Sequence, residues 1–436
     1  MIEIFSILLT LISLFIFSNF PLNYFYLKKK IHSIEYTFSE IQLLNIIINC
    51  NIFLILSFFV INLNLIFIII LTYTFFFFII FKKEYLNLFK KNLYLNLTYG
   101  ICFYSVAILI VKNGYLEYDA LAHWIHKVKV FYQGGTVSNL KGLNYDYYPH
   151  LGSYLWAFFW KNSLIQNEYL GRLFFLYIFL ISIFSINSKL SKKFSNFEKI
   201  LIIFLIFYLS TNIYLFGGYQ EYFLFFCFYC YSNFFYNFYI SNKFSSNNYL
   251  PEIIILLTSN LFIWTKQEGL FYFIIFGVLF LLHSKRQGLS KVFYFLMSVG
   301  LFLYFIFIKN YYFGSVEFND EIINSETFKN LQISYLISKI IIITKYFIIS
   351  FFKYPIWILI FLSLIVIKTN SNYLKNKNYI YTYFLLMFGF VYAIFLNTPN
   401  DINWLVPITL NRLVFAQSGF LIFICVEMLN RLKNRN

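Results

Sequence analysis

The sequence predicts an all-α, polytopic membrane protein, and three observations carry that prediction. Of its 436 residues, 60% are hydrophobic and 12% are charged. Apolar runs recur along the whole chain, many of them close to the roughly 20 residues that a helix needs to cross a bilayer. Basic residues gather in the short gaps between those runs.

Little sequence is left over for a soluble domain. The opening run, Ile4 to Phe20, has neither a basic leader nor a small-residue cleavage site, so a retained span is expected there and not a signal peptide. Five cysteines are scattered, and Cys227 and Cys230 form a C-x-x-C inside an aromatic run with no partner pair. Packing fits that pair better than metal or redox chemistry. The net charge of +16 would suit nucleic acid if it covered one face. It is divided instead among Lys28-Lys29-Lys30, Lys82-Lys83, Lys90-Lys91, Lys189 to Lys199, Lys285-Arg286, Lys368 to Lys377 and Arg431 to Arg435. That distribution marks cytoplasmic gaps. The expected partner is the lipid bilayer, and no nucleic acid is expected.

Taken in order, Ile4 to Phe20 runs inward to the first lysine cluster. Ile41 to Ile61 runs out, Leu63 to Phe81 in, and Leu93 to Val111 out. Leu151 to Trp160 is too short to span and reads as a helix on the outer surface. Leu170 to Ile186 returns inward. Ile200 to Phe216, Tyr222 to Ile240, Ile253 to Thr265 and Leu270 to Leu282 then alternate, and Val292 to Ile308 runs outward to an acidic loop with Glu317, Asp320, Glu321 and Glu326. Lys339 and Lys345 interrupt Ile333 to Ile349, and parity makes it a further outer-surface helix. Trp357 to Ile367, Tyr379 to Leu396 and Ile408 to Leu429 complete about thirteen crossings, N-terminus out and C-terminus in. The expected organisation is N-terminal transmembrane helices over 1–111, an outer catalytic loop with juxtamembrane helices over 112–168, and a transmembrane core over 169–436 with an outer loop at 309–351. Most of the 18 acidic residues fall on the outer side of this map.

Glu117 to Gly152 is the longest polar interruption in the first half. Leu121, Trp124, Ile125, Val128 and Tyr132 share one helical face, while Asp119, His123, His126 and Lys127 share the other. The pattern predicts an amphipathic helix on the membrane surface with its polar side in water, closed by Gly134-Gly135. Ionisable groups at span ends are costly and are functional candidates by default. Here they are Arg172, Glu221, Lys266, Glu268 and Arg412, all on the outer side. With Asp119 they predict an outward polar site in which an acid activates a hydroxyl and fixed cations hold a phosphate. Alternatives stand beside each role. Asp119 can cap its helix. His123 and His126 with Asp119 can hold a divalent metal or simply make a polar face. Lys266 and Glu268 can snorkel, and Arg172 can pair with Glu168 across one turn.

The ordered set Tyr118-Asp119-Ala120-Leu121-Ala122-His123-Trp124, Lys127-Val128-Lys129, Tyr148-Pro149-His150-Leu151, Gly171-Arg172-Leu173, Gly218-Tyr219-Gln220-Glu221, Lys266-Gln267-Glu268-Gly269 and Asn411-Arg412-Leu413 resembles bacterial GT-C glycosyltransferases. These are relatives of protein O-mannosyltransferases and of the lipid A aminoarabinose transferase. The likeness covers roughly Leu116 to Phe420 and implies a GT-C-like bundle in the bacterial inner (plasma) membrane, with its active site facing the periplasm or exterior. It implies inverting transfer from a polyprenyl-phosphate-linked sugar donor to a glycan, lipid or protein acceptor. Asp119 and Glu221 would be catalytic, and Lys266, Arg412 and Arg172 would hold the donor phosphate. Glu117, His123, Trp124, His150 and Glu268 would bind substrate. No cofactor is certain, although a divalent metal is possible. The chain departs from the family in its extra N-terminal helices, in having Glu117 two residues from Asp119 where an adjacent acid is frequent, and in lacking a soluble sugar-binding domain. A lipid-linked-glycan flippase or other transporter, and an O-antigen-type polymerase or ligase, are the alternatives.

Overall fold

A computed structural model describes residues 2–30, 36–236, 249–284, 288–314, 333–368, 378–398 and 401–435, and among these the regular structure is helical throughout. Among the described residues, seven helices are long and apolar enough to cross a membrane, or eight if a bent pair counts as one span. That falls short of the thirteen expected from sequence. Part of the difference lies in short helices. Ile2–Ser18, Leu250–Thr265 and Gly269–His283 have 17, 16 and 15 residues. At about 1.5 Å per residue they do not reach the roughly 30 Å of a hydrocarbon core. The acidic loop of Glu317, Asp320, Glu321 and Glu326 and the basic pairs Lys285-Arg286 and Lys375/Lys377 lie outside the described residues.

By packing the chain forms two units: 1–226 with 264–267 and 432–436, and 227–263 with 268–431. The first contains α1 (Ile2–Ser18), α2 (Tyr24–Lys30), α3 (Phe38–Leu56), α4 (Leu63–Ile80), α5 (Lys82–Lys91) and α6 (Leu93–Asn113). It continues with α7 (Ile125–Tyr132), α8 (Leu151–Lys161), α9 (Glu168–Ser185), α10 (Asn196–Ser210) and the first turns of α11 (Glu221–Phe235). The axis is α9, whose residues Leu170 to Ser185 are all buried. A helix that is apolar on every side must be enclosed, and α1, α3, α6, α8 and α10 enclose it. By contrast α4 keeps most of its apolar surface exposed, as a lipid-facing helix does.

In α3 the polar residues Asn45 and Asn49 lie one turn apart and fully buried. Asn45 Nδ2 donates to the carbonyls of Ser18 and Leu22, and Asn49 Nδ2 to those of Phe17 and Phe20. They satisfy the carbonyls that α1 leaves open at its end, which water cannot reach inside a bilayer. Lys28 to Lys30, Lys82 to Lys91 and Lys189 to Lys193 gather at one end, where Lys189 pairs with Glu40 and Lys433 with Glu198. The Glu117 loop, Glu168 and Glu221 lie at the other end.

Two expectations for the loop are corrected. The short helix expected on the outer surface, α8, is buried from Leu151 to Phe159 between α7, α9 and α3. Lys127, expected on a wet face, is fully buried and donates to the Tyr148 carbonyl at 2.7 Å, while Leu121 of the expected apolar face is exposed. The cause is a π-helical turn over Ala120–Trp124, closed by the Ile125 N–H on the Ala120 carbonyl. A wider turn shifts the phase of the stripe, so residues on its two sides no longer share one face. Gly134, at φ +92, ends α7 as expected.

The second unit contains the rest of α11, most of α12 (Leu250–Thr265), α13 (Gly269–His283), α14 (Gly288–Phe313), α15 (Ile333–Lys353), α16 (Ile356–Lys368), α17 (Asn378–Asn397) and most of α18 (Ile402–Arg435). Tyr231, Phe276, Tyr383 and Phe420 stack as an aromatic column through it. The outer-surface helix expected at Ile333 to Ile349 is part of a longer arrangement. Leu336–Lys353 and Ile356–Val366 bend by 95° and together have the length and hydropathy of one broken span or re-entrant loop. Lys339, which argued against a span, is buried and donates to the carbonyls of Leu396 and Thr398 at the end of α17. A lysine on helix C-terminal carbonyls is stabilised by the helix dipole, so it does not bar the segment from an apolar environment.

Candidate functional site

The site is built on a hairpin tip in the first unit. After α10 the chain makes a short 3-10 turn, Ile213–Phe216, then Gly217-Gly218-Tyr219-Gln220 leads into α11 at Glu221. Gly218 takes φ +99, and an added Cβ there would lie 2.5 Å from Ala120 Cβ. At Gly217 a Cβ would meet Glu117 Cγ at 2.5 Å. The glycine pair therefore lets the Glu117–Ala120 segment lie directly on the tip, and the Glu117 N–H donates to the Gly217 carbonyl at 2.9 Å.

Glu221 starts α11 and is 1% exposed; Lys266, just after α12, is 7% exposed. Lys266 Nζ donates to Glu221 Oε1 at 2.9 Å, a buried ion pair. Desolvating two such charges is expensive, and only close, hydrogen-bonded geometry offsets it. Beside the pair, Gln220 lies over Gly152 in the first turn of α8, where a Cβ would sit 1.7 Å from its Oε1. His150, the residue before α8, is buried. Its Nε2 lies 2.8 Å from Ser57 Oγ, and its ring stands edge-on to Trp264, with centres 5.5 Å apart.

Asp119 does not cap its helix. The turn starts one residue earlier, with Leu121 N–H donating to the Glu117 carbonyl. Asp119 is already helical at φ −62 and makes no side-chain cap bond. The residue is half-buried within the first turn. His123 stacks on Tyr148 and stands against Tyr145, with ring centres 4.9 and 4.0 Å away. Trp124 is buried beneath the same cluster with Lys127 5.7 Å over its ring. Among the described residues no three His, Cys, Asp or Glu side chains converge as a metal set. Cys227 and Cys230 are buried and are not joined in a disulfide.

Arg172 is 2% exposed and works on protein groups. Nη2 meets Glu168 Oε1 at 2.8 Å, and Nη1 donates to the carbonyls of Tyr115 and Phe216 at 3.0 and 3.2 Å. One guanidinium fork thus ties the end of α6 to the hairpin tip, a geometry that a point charge could not supply. Glu268 and Arg412 belong to the second unit. There Glu268 precedes α13 without a side-chain cap bond, and Arg412 is half-buried on α18. Ser57, Gly217 and the packing role of Gly152 were not singled out from sequence, and Gly218 and Gln220 entered only as part of a motif beside Glu221. The adjacent glycines were the one local signal of a close backbone approach.

No protein-family model, no curated protein and no solved structure matches the chain. The resemblance to GT-C transferases therefore rests on the motifs themselves.

Proposed function

We propose that the protein is an integral-membrane glycosyltransferase that moves a sugar from a polyprenyl-phosphate carrier to a cell-envelope acceptor. The observation that carries this reading is the buried Glu221–Lys266 pair at the tip on which the Asp119 segment docks. A fixed ammonium and a carboxylate are what phosphate-leaving sugar transfer requires. The acceptor hydroxyl oxygen attacks the anomeric carbon while Asp119 takes its proton. The bond from the anomeric carbon to the phosphate oxygen breaks, and the lipid phosphate leaves with its electron pair. Lys266 stabilises the negative charge growing on that phosphate. Glu221 is a positioning residue that holds Lys266 in place. A single displacement inverts the anomeric centre.

The test is Asp119→Asn, purified beside wild type and assayed with polyprenyl-phosphate hexose and pentose donors at matched folded amounts. Loss of a general base should lower the rate by about 100- to 10,000-fold. Loss of only the negative charge near a helix N-terminus should cost about 0.3 to 1 kcal/mol of stability. An Asn variant within a few-fold of wild type would remove Asp119 from the chemistry.

One observation favours a second reading. The 95° break between α15 and α16 has the form of the discontinuous helices from which transporters build their sites. Reconstituted vesicles in which the protein moves a fluorescent lipid-linked sugar across the bilayer, with no transfer to an acceptor, would select the flippase instead.

A further inference from the structure

The N-terminal helices of the first unit, which the transferase reading leaves without a role, line a half-open cavity of about 730 Å³. Ligand pockets commonly occupy about 300 to 1,000 Å³ and are mostly apolar with a few placed polar groups. The wall here is aromatic, with Phe15, Phe38, Phe78, Phe89, Tyr99 and Phe184 lining it from six different helices. Its polar lining includes Thr37, Ser39, Gln42, Asn92, Asn96 and Ser188. These lie at the starts of α3 and α6 and just past α9, the end of the unit that carries the lysines. The buried hydroxyl of Tyr99 has no hydrogen-bond partner among the described residues.

Charge at that end is one-sided. Lys28, Lys29 and Lys30 on α2 and Lys82, Lys83, Lys90 and Lys91 on α5 are all exposed. Tyr24 of α2 and Tyr85 of α5 line the cavity, and Lys28 Nζ is 5.8 Å from the Tyr24 ring centre. Among the described residues Glu84 is an exposed acid beside them, while Glu40 and Glu198 are engaged by Lys189 and Lys433. The short α5 has lysines at both ends and Tyr85, Leu86, Leu88 and Phe89 between, the pattern of a helix lying in a headgroup layer.

We propose that this cavity holds one acyl chain of an anionic phospholipid whose phosphate sits among the lysines of α2 and α5. The apolar wall suits a hydrocarbon chain and rejects a charged solute. The lysine rim separates a net-negative head from a zwitterionic one, because clustered lysines attract anionic headgroups. The proposal does not depend on the transferase chemistry, since it uses no residue of the hairpin-tip site.

The test uses the full-length protein in detergent, equilibrated with equal amounts of phosphatidylglycerol and phosphatidylcholine, with retained lipid counted by native mass spectrometry. Wild type should retain phosphatidylglycerol over phosphatidylcholine by on the order of tenfold. A Cβ at Gly100, which lines the cavity, meets nothing within 4 Å. Gly100→Trp should therefore fill the cavity and lose the retained lipid while staying monodisperse. If it does not stay monodisperse, Gly100→Leu gives the same readout with less volume. Replacing Lys28, Lys29, Lys90 and Lys91 together by Gln should leave a lipid bound but remove the preference. Equal retention of both lipids by wild type would overturn the proposal. So would wild-type retention in the filled variants, or displacement of phosphatidylglycerol by an equimolar polyprenyl monophosphate.

Discussion

Replacing Lys266 by Met tests the hairpin tip most directly. The substitution keeps the length of the side chain and removes its charge. Glu221 is left with its carboxylate almost wholly enclosed, at 1% exposure, and without the ammonium 2.9 Å away. Breaking a buried pair in this way costs about 3 to 5 kcal/mol, whereas losing an exposed pair costs about 0 to 1 kcal/mol. Replacing both partners, as Glu221→Leu with Lys266→Met, removes the desolvation of both charges and should return stability to near wild type or above it. The assay is unfolding in mixed micelles titrated with dodecyl sulfate, run on wild type, the two single variants and the double. The expected pattern is two unstable singles and a stable double that turns over no donor. A Lys266→Met variant within about 1 kcal/mol of wild type would refute the burial argument. A stable double variant with full transfer activity would separate the pair from function altogether.

Three further outcomes are expected. Gly171→Ala places a Cβ 2.4 Å from the Trp156 carbonyl oxygen, so α8 and α9 must part; a loss of about 1 to 3 kcal/mol in the same titration is expected, and no loss would mean the contact relaxes freely. Asn49→Leu strips hydrogen bonds from two carbonyls at the end of α1 and should cost about 1 to 3 kcal/mol, with Asn49→Gln less severe. Cysteines placed at the exposed positions Asn139 and Lys192 in a cysteine-free background should react with an impermeant thiol reagent from opposite sides of the membrane. Labelling of both from one side would sink the lysine-based map.

The candidate site was partly legible beforehand. Glu221 and Lys266 stood out because charged residues beside apolar spans are costly wherever they lie. Their meeting was not legible, since 45 residues separate them and nothing local joins the two helix ends. The pairing of Arg172 with Glu168 was open from their spacing of one turn, but the three backbone carbonyls that the same guanidinium gathers were not. The face assigned to Lys127 and Leu121 failed because an ideal helical period was run through a stretch that contains a π turn. Residue types alone do not announce that extra width.

What the sequence determined by itself was the helical class, the positions of the long apolar runs, and the gaps between them that carry the lysines. Each follows from one short window at a time: hydropathy summed over a helix length, or lysines counted in a gap. Tertiary structure decided which short helices are enclosed and which polar groups meet. The burial of α8 depends on Gly171 and Gly218 admitting Trp156 at close range. The approach of Glu117 to the hairpin tip depends on two glycines a hundred residues away. Close approach is a property of two surfaces at once, and no single stretch of chain contains both.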